Sequence, residues 1–363
     1  MIIKSVDLKN FRNYKNLSLS FDKGINILYG NNAQGKTNLL EALYVSGTSK
    51  SYKNSKDREM INFDENEGHI KTIIEKASRE YRIDVHLKKN KAKGIAINKI
   101  PIKKTSELFN LLNLVFFAPE DLSIIKNSPS ERRKFMDNEL CQIDKVYFYD
   151  LKKYQKVLEQ RNKLLRDLAN NNSLIKTLDV WDEQLLFYGK KIIKRRSEFI
   201  KELQNIIFYI HKRLTKEKED IKISYESDCS FENFEEKLLR AREKDIKFLQ
   251  TSVGPHRDDI SIKVKNVDMR KFGSQGQQRT CALSLKLSEI EIIKKNVNET
   301  PILLLDDVLS ELDDKRQYDL LKSIGDIQTI ITCTGLKSFI DKRFKMDKIF
   351  KVEKGNIFDY KQA

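Results

Sequence analysis

An α/β fold interrupted in sequence by a helical insert lobe is predicted by three features of this 363-residue chain. A short apolar stretch, Ile25-Asn26-Ile27-Leu28-Tyr29, runs into a glycine-rich loop and then a helix. Near the other end, Ile302-Leu303-Leu304-Leu305 reads as a buried strand that closes in two aspartates, Asp306 and Asp307. Between these halves, from about residue 120 to 248, the apolar spacing becomes helical.

The loop is Gly30-Asn31-Asn32-Ala33-Gln34-Gly35-Lys36-Thr37, a complete G-x-x-x-x-G-K-[ST] phosphate loop. Its glycines let the backbone wrap closely around phosphate, and successive N–H groups form a nest for anionic oxygens. Lys36 is placed to reach the β- and γ-phosphates and the Thr37 hydroxyl to bind Mg²⁺. The helix that starts at Thr37 points its N-terminus at the phosphates. Strand, loop and helix together predict binding of a nucleoside triphosphate.

Ahead of the loop, Lys4 to Asn10 and Leu17 to Phe21 alternate as short strands. After the loop helix, 81–87 and 95–98 read as a hairpin around the lysine-rich tip 88–94. Edge protection and phosphate contact are both open roles for that tip.

In the insert, Tyr147, Leu151, Tyr154, Leu158, Leu165 and Leu168 fall at helical spacing, interrupted at Arg161. A turn is expected at Asn170–Ser173, then a second stripe from Leu178 through Trp181, Leu185, Tyr188, Ile192, Phe199, Leu203 and Ile206 to Ile210. Two arms of about 25 residues, roughly 40 Å each, make a helical hairpin too short for a long coiled-coil arm.

Strand and loop return after residue 249 with Gly254-Pro255-His256-Arg257-Asp258-Asp259 and the strand Ile260–Val264. Gly273-Ser274-Gln275-Gly276-Gln277-Gln278-Arg279 opens a long helix, and apolar strands follow at 301–305 and 329–332. The expected organisation is an N-terminal head part at 1–118, a helical lobe at 119–248 and a C-terminal head part at 249–363. Opposite the phosphate loop, Asp306 would hold Mg²⁺ and Asp307 would polarise the attacking water.

Composition narrows the partners. A formal net charge of +16 points to a polyanion such as nucleic acid. No apolar run approaches the ~18 residues needed to cross a bilayer, and Met1–Leu8 alternates like a strand, so a cytoplasmic protein with no membrane partner is expected. The four cysteines lie far apart, without C-x-x-C spacing, and read as reduced thiols.

Five segments, in this order, together resemble the RecF family, bacterial recombination-mediator ATPases related to the heads of SMC proteins. They are Lys9–Tyr14, Phe117–Leu122, Gly254–Asp259, Gly273–Arg279 and Leu304–Asp313. The resemblance spans essentially the whole chain and implies an ABC-type phosphate-loop ATPase head that binds ATP and Mg²⁺. It further implies an ATP-dependent homodimer in which Ser274 and Gly276 of one subunit complete the site of the other. Arg12 resembles an arginine that touches phosphate or ribose in related heads. By the same resemblance, the protein binds DNA (single-stranded, duplex or gap junction), works with RecO and RecR to load recombinase at single-stranded gaps, and supports repair, replication and the SOS response. An alternative is an architectural SMC-like head without recombinase loading. A helicase would need a second RecA-like core, and a nuclease another acidic cluster; Asp258-Asp259 beside Arg257 reads better as structural.

The sequence departs from the wider cassette pattern at three places. Asp307 stands where glutamate is usual, the stretch 330–334 has no switch histidine, and no glutamine lies between Gln34 and Gln142. Glu120 or Asp121 is left to take the place of the Mg²⁺-sensing glutamine. Weak positioning of water follows, hence a slow, DNA-stimulated ATPase that acts as a switch.

Overall fold

The computed structural model describes residues 1–168, 175–312, 314–336 and 346–360. They divide into two compact units, Met1–Asp121 with Glu289–Ala363, and Leu122–Ser288.

The first unit holds two sheets. One is antiparallel, built from β1 (Ile2–Phe11), β2 (Tyr14–Ser20), β4 (Glu67–Lys76), β5 (Arg79–Lys88), β6 (Gly94–Ile97) and β7 (Ile100–Pro101) in the order β2-β1-β4-β5-β6-β7. Strict alternation explains its one-sided burial, with Ile70, Thr72 and Ile74 of β4 turned inward. The second sheet contains β3 (Ile25–Tyr29), β8 (Leu114–Phe117), β12 (Ile302–Asp306), β13 (Thr329–Cys333), β14 (Lys348–Glu353) and β15 (Asn356–Asp359). Its order is β15-β14-β3-β13-β12-β8, parallel throughout except for the β15 edge. The continuous apolar runs of β12 and β13 fit strands covered on both faces.

The helix that leaves the phosphate loop, α1 (Lys36–Thr48), is buried nearly all round. Leu39, Leu40 and Leu43 join Val6, Ile70 and Val85 of the first sheet and Leu28, Leu304 and Ile330 of the second in one core. Glu41 is a carboxylate in the middle of this buried helix, so it requires a cation.

The second unit begins with α2 (Leu122–Lys126), α3 (Pro129–Ile143), α4 (Lys145–Leu168) and α5 (Thr177–Thr215). With 24 and 39 residues, α4 and α5 are unequal arms, and α5 runs about 60 Å, longer than expected. The expected turn at Asn170–Ser173 lies outside the described residues. The interruption at Arg161 is a buried ion-pair centre: its guanidinium meets Asp182 at 2.6 Å, Asp245 at 2.7 Å and the Thr251 hydroxyl at 2.8 Å.

The remaining elements of this unit are β9 (Ile221–Glu226), α6 (Phe234–Arg240), α7 (Arg242–Phe248), β10 (Asp259–Val264), β11 (Val267–Asp268) and α8 (Met269–Phe272). Helix α9 (Gln275–Val297) starts here and ends in the first unit, where α10 (Asp314–Ile324) follows β12. The division therefore differs from the expected one. Residues 249–288 group with the helices because β10 pairs with β9, which directly follows α5, a pairing invisible to local composition.

The Gly254–Asp259 segment is a braced turn. Tyr154 and His256 share a 2.7 Å hydrogen bond, and Thr251 O lies 3.1 Å from the second ring nitrogen of His256. Asp258 is fully buried and accepts from Arg196, Tyr225 and the Asp228 N–H, while Asp259 is held by Arg132. Both carboxylates are thus committed to cations. Among the described residues, no helix is long and apolar enough to cross a membrane.

Candidate nucleotide site

The site forms where three parallel strands end side by side. β3, β13 and β12 finish at Tyr29, Cys333 and Asp306, and ligands of such sheets bind beyond the carboxyl ends of the strands. The phosphate loop leaves β3 at Gly30, whose φ is +156°, and a Cβ there would lie 2.3 Å from Val352 O. Gly35 enters α1 with φ +116°, and a Cβ there would meet the Asn13 amide and the Tyr14 hydroxyl within 2.9 Å. Both positions therefore require glycine. The loop is also tied from outside: Tyr14 donates to Gly35 O at 3.0 Å, Asn13 Nδ2 to Gln34 O at 3.0 Å, and the Lys354 N–H to Gln34 Oε1 at 2.6 Å.

Lys36 is 7% exposed, and its Nζ donates to Gly30 O at 2.6 Å and Asn31 O at 2.8 Å. Burial lowers the pKa of its ammonium, while the charges of Asp307 and Asp306 work against that shift. The Thr37 hydroxyl donates to Asp306 Oδ1 at 2.8 Å, and Thr332 Oγ1 donates to the same oxygen at 2.8 Å. Tyr52 donates to Asp306 Oδ2 at 3.2 Å. Asp307 takes the left-handed conformation, φ 52°, that ends β12, and its N–H donates to Thr332 O and Oγ1 at 3.3 and 3.0 Å.

The fold thus gathers Lys36, Thr37, Asp306 and Asp307. This donor set fits a nucleotide with a hard divalent cation. A hydroxyl that gives its proton to Asp306 keeps oxygen lone pairs for a metal, and Mg²⁺ is ordinarily held by one or two carboxylates together with substrate phosphates.

Arg12, expected at phosphate or ribose, is engaged elsewhere. Its Nε and Nη2 form a bidentate pair with Glu41, both at 2.8 Å, while Nη1 donates to Glu59 O and Nη2 also to Ser55 Oγ. Four of its five donors are taken, so it braces α1 and the 51–59 segment. Ser274 and Gly276 belong to the second unit. Ser274 is exposed and forms a reciprocal cap with Gln277: the Gln277 N–H donates to Ser274 Oγ at 3.2 Å and the Ser274 N–H to Gln277 Oε1 at 3.1 Å.

Between the two acidic candidates, Asp121 accepts the Ala118 N–H at 2.8 Å as a local cap. Glu120 is exposed, and its charge acts on Tyr52. At the lysine-rich tip, Lys93 pairs with Asp57 at 2.8 Å and Lys89 reaches Phe63 O, while Lys91 remains exposed. Glu41, Tyr52 and Thr332 escaped the sequence reading. A charged residue inside the apolar run Leu39-Leu40-Glu41-Ala42-Leu43 is the one signal that could have found Glu41.

Known proteins resemble the chain over nearly its whole length. The RecF/RecN/SMC N terminal domain family matches residues 2–357. A relative from Agathobacter rectalis, described as DNA replication and repair protein RecF, is 61% identical over 357 residues, covering 98% of this chain and 99% of its own. The chain belongs to the RecF family. A second RecF relative, from Lachnospira eligens, is 58% identical over 359 residues, covering 98% of this chain and 99% of its own. Among solved structures, the recombination mediator protein RecF-ATP in the RecFOR pathway superposes with a TM-score of 0.92 at 37% identity, covering 99% of this chain and 97% of that one. The Smc head domain from Pyrococcus furiosus, at TM-score 0.57 and 16% identity over 99% of this chain and 96% of that one, shares the ATPase-head fold.

Proposed function

We propose that this RecF-family protein is an ATP-driven switch that grips DNA as a homodimer and, with RecO and RecR, helps load recombinase at single-stranded gaps. The carrying observation is the convergence of Lys36, Thr37, Asp306 and Asp307 beside a loop whose two glycine positions, Gly30 and Gly35, admit no side chain. The RecF-ATP structure in the RecFOR pathway, at 37% identity, supports the same nucleotide and the same partners here.

In this reading Gly30–Gly35 cradle the phosphates, Lys36 turns from its loop carbonyls to phosphate oxygen, and Thr37 with Asp306 hold Mg²⁺. The metal supplies charge neutralisation at the phosphates. Asp307 orients the attacking water through a side chain one methylene shorter than glutamate, which makes hydrolysis slow. Ser274 and Gly276 of a second copy close the site at the γ-phosphate, with the α9 N-terminus contributing its dipole. Loss of the γ-phosphate removes the bridge, and the dimer releases DNA. Arg12 acts on this site through Glu41 and α1.

Sedimentation with ADP and then ATP, with and without duplex DNA, on wild type and Ser274→Arg tests the switch. A dimer that forms only with ATP, binds DNA more tightly and fails in the variant is expected. A wild type that stays monomeric with ATP and DNA would remove the clamp, and normal dimers of the variant would remove the trans role of Ser274.

A further inference from the structure

We propose that Tyr52 is a positioning residue for the divalent cation, holding the second carboxylate oxygen of Asp306 so that the first stays turned toward Thr37. This rests on the reading that Thr37 and Asp306 hold Mg²⁺.

The argument starts from the carboxylate. Asp306 Oδ1 accepts from Thr37 and Thr332, whereas Oδ2 accepts from Tyr52. Two hydroxyls on one oxygen leave a carboxylate free to tilt about that anchor; a third donor on the other oxygen fixes its plane. Mg²⁺ demands near-ideal octahedral geometry, so the orientation of the few protein groups around it matters.

Tyr52 is itself held. Its ring stacks on Phe116 with centroids 3.9 Å apart and planes 28° apart, and meets Tyr44 edge-on at 6.0 Å. Phe116 pairs in register with Leu304, two residues before Asp306, and Tyr44 stands on α1, the helix that carries Thr37. The ring is thus clamped between α1, which carries Thr37, and β8, the strand paired with the one that ends in Asp306. On either side of it, Ser51 donates to Glu41 and Ser55 accepts from Arg12. A phenol hydroxyl donates to a carboxylate at neutral pH, and this one is aimed at Asp306 Oδ2. Packing alone would be served by phenylalanine. The hydroxyl is the part that the stack does not explain.

The test is Tyr52→Phe, which keeps the stack and removes the hydroxyl. Binding of a fluorescent ATP analogue is titrated with MgCl₂, beside a parallel series in EDTA. Second-sphere losses typically cost 10–100-fold in metal affinity, so the half-saturating Mg²⁺ concentration is expected to rise about tenfold. Metal-free binding and the melting temperature should stay at wild-type values. Asp306→Asn and Thr37→Ala serve as references. An unchanged midpoint in Tyr52→Phe beside a raised one in both references overturns the role of Tyr52 alone. Equal losses with and without metal would make Tyr52 a structural residue and also overturn it. If neither reference moves the midpoint, the metal reading falls and the role of Tyr52 falls with it.

Discussion

The Thr37 hydroxyl lies 2.8 Å from Asp306 Oδ1 across 269 residues of sequence. The contact exists because β13 lies between β3 and β12, so the loop that leaves one strand opens beside the acid that ends the other. Thr332 of that middle strand donates to the same carboxylate oxygen. The proposed metal position is therefore a property of strand order, and the predictions below perturb its surroundings one group at a time.

Lys36→Ala removes a charged donor that is 7% exposed. A hydrogen bond from a charged group contributes about 2 kcal/mol, so nucleotide affinity is expected to fall roughly thirtyfold and ATP-dependent dimers to vanish. Fluorescent nucleotide titration and light scattering check the two effects separately. Retained ATP-driven dimers would refute the assignment.

Asp307→Asn leaves the phosphate-binding backbone intact and removes the carboxylate proposed to orient water. The variant is expected to bind ATP normally, hydrolyse it at least tenfold more slowly and remain dimeric on DNA after ATP is supplied. Loss of ATP binding would instead identify Asp307 as structural, through the left-handed turn it occupies.

Glu41 is fully buried, with Arg12 as its bidentate partner. Arg12→Ala leaves that carboxylate without its cation and is expected to cost about 3 kcal/mol of stability. Arg12→Ala with Glu41→Gln should recover part of the loss. Urea unfolding of Arg12→Ala, Glu41→Gln and the double variant measures the coupling; additive losses would show that the pair contributes no specific interaction.

His256 titrates at about 4, lowered first by burial, against an ordinary value of 6.5. Its neutral form is the one the fold accepts, so the unfolded chain binds the extra proton between those two values. Stability from this site is complete above pH 6.5 and declines as pH falls toward 4, by about 3 kcal/mol in all. His256→Gln should flatten that part of the pH–stability curve. An unchanged slope between pH 4.5 and 6.5 would show that His256 does not control it.

Much of the nucleotide site was legible because its chemistry is contiguous. Gly30 to Thr37 form an unbroken motif, and Asp306-Asp307 end an apolar strand whose burial the run Ile302–Leu305 announces. The braces were not legible. Arg12 meets Glu41 across 29 residues and Tyr52 meets Asp306 across 254, with no periodicity linking either pair. The interruption at Arg161 looked like a flaw in a helical stripe, yet it is where Asp182 and Asp245 converge from other elements. The length of α5 was missed for a similar reason, since polar residues on its exposed face blur where a buried stripe stops.

What the sequence determined by itself is the set of groups able to handle phosphate, together with the alternation and apolar runs that make two kinds of sheet and a helical lobe. These are local: a motif or a period of two or 3.6 residues states them without reference to the rest of the chain. The tertiary structure decided which carboxylate faces which hydroxyl, that Arg12 closes on Glu41, and that residues 249–288 group with the helices through β9 and β10. Those outcomes depend on burial of charge and on strand order, which arise only when segments far apart in sequence exclude water together.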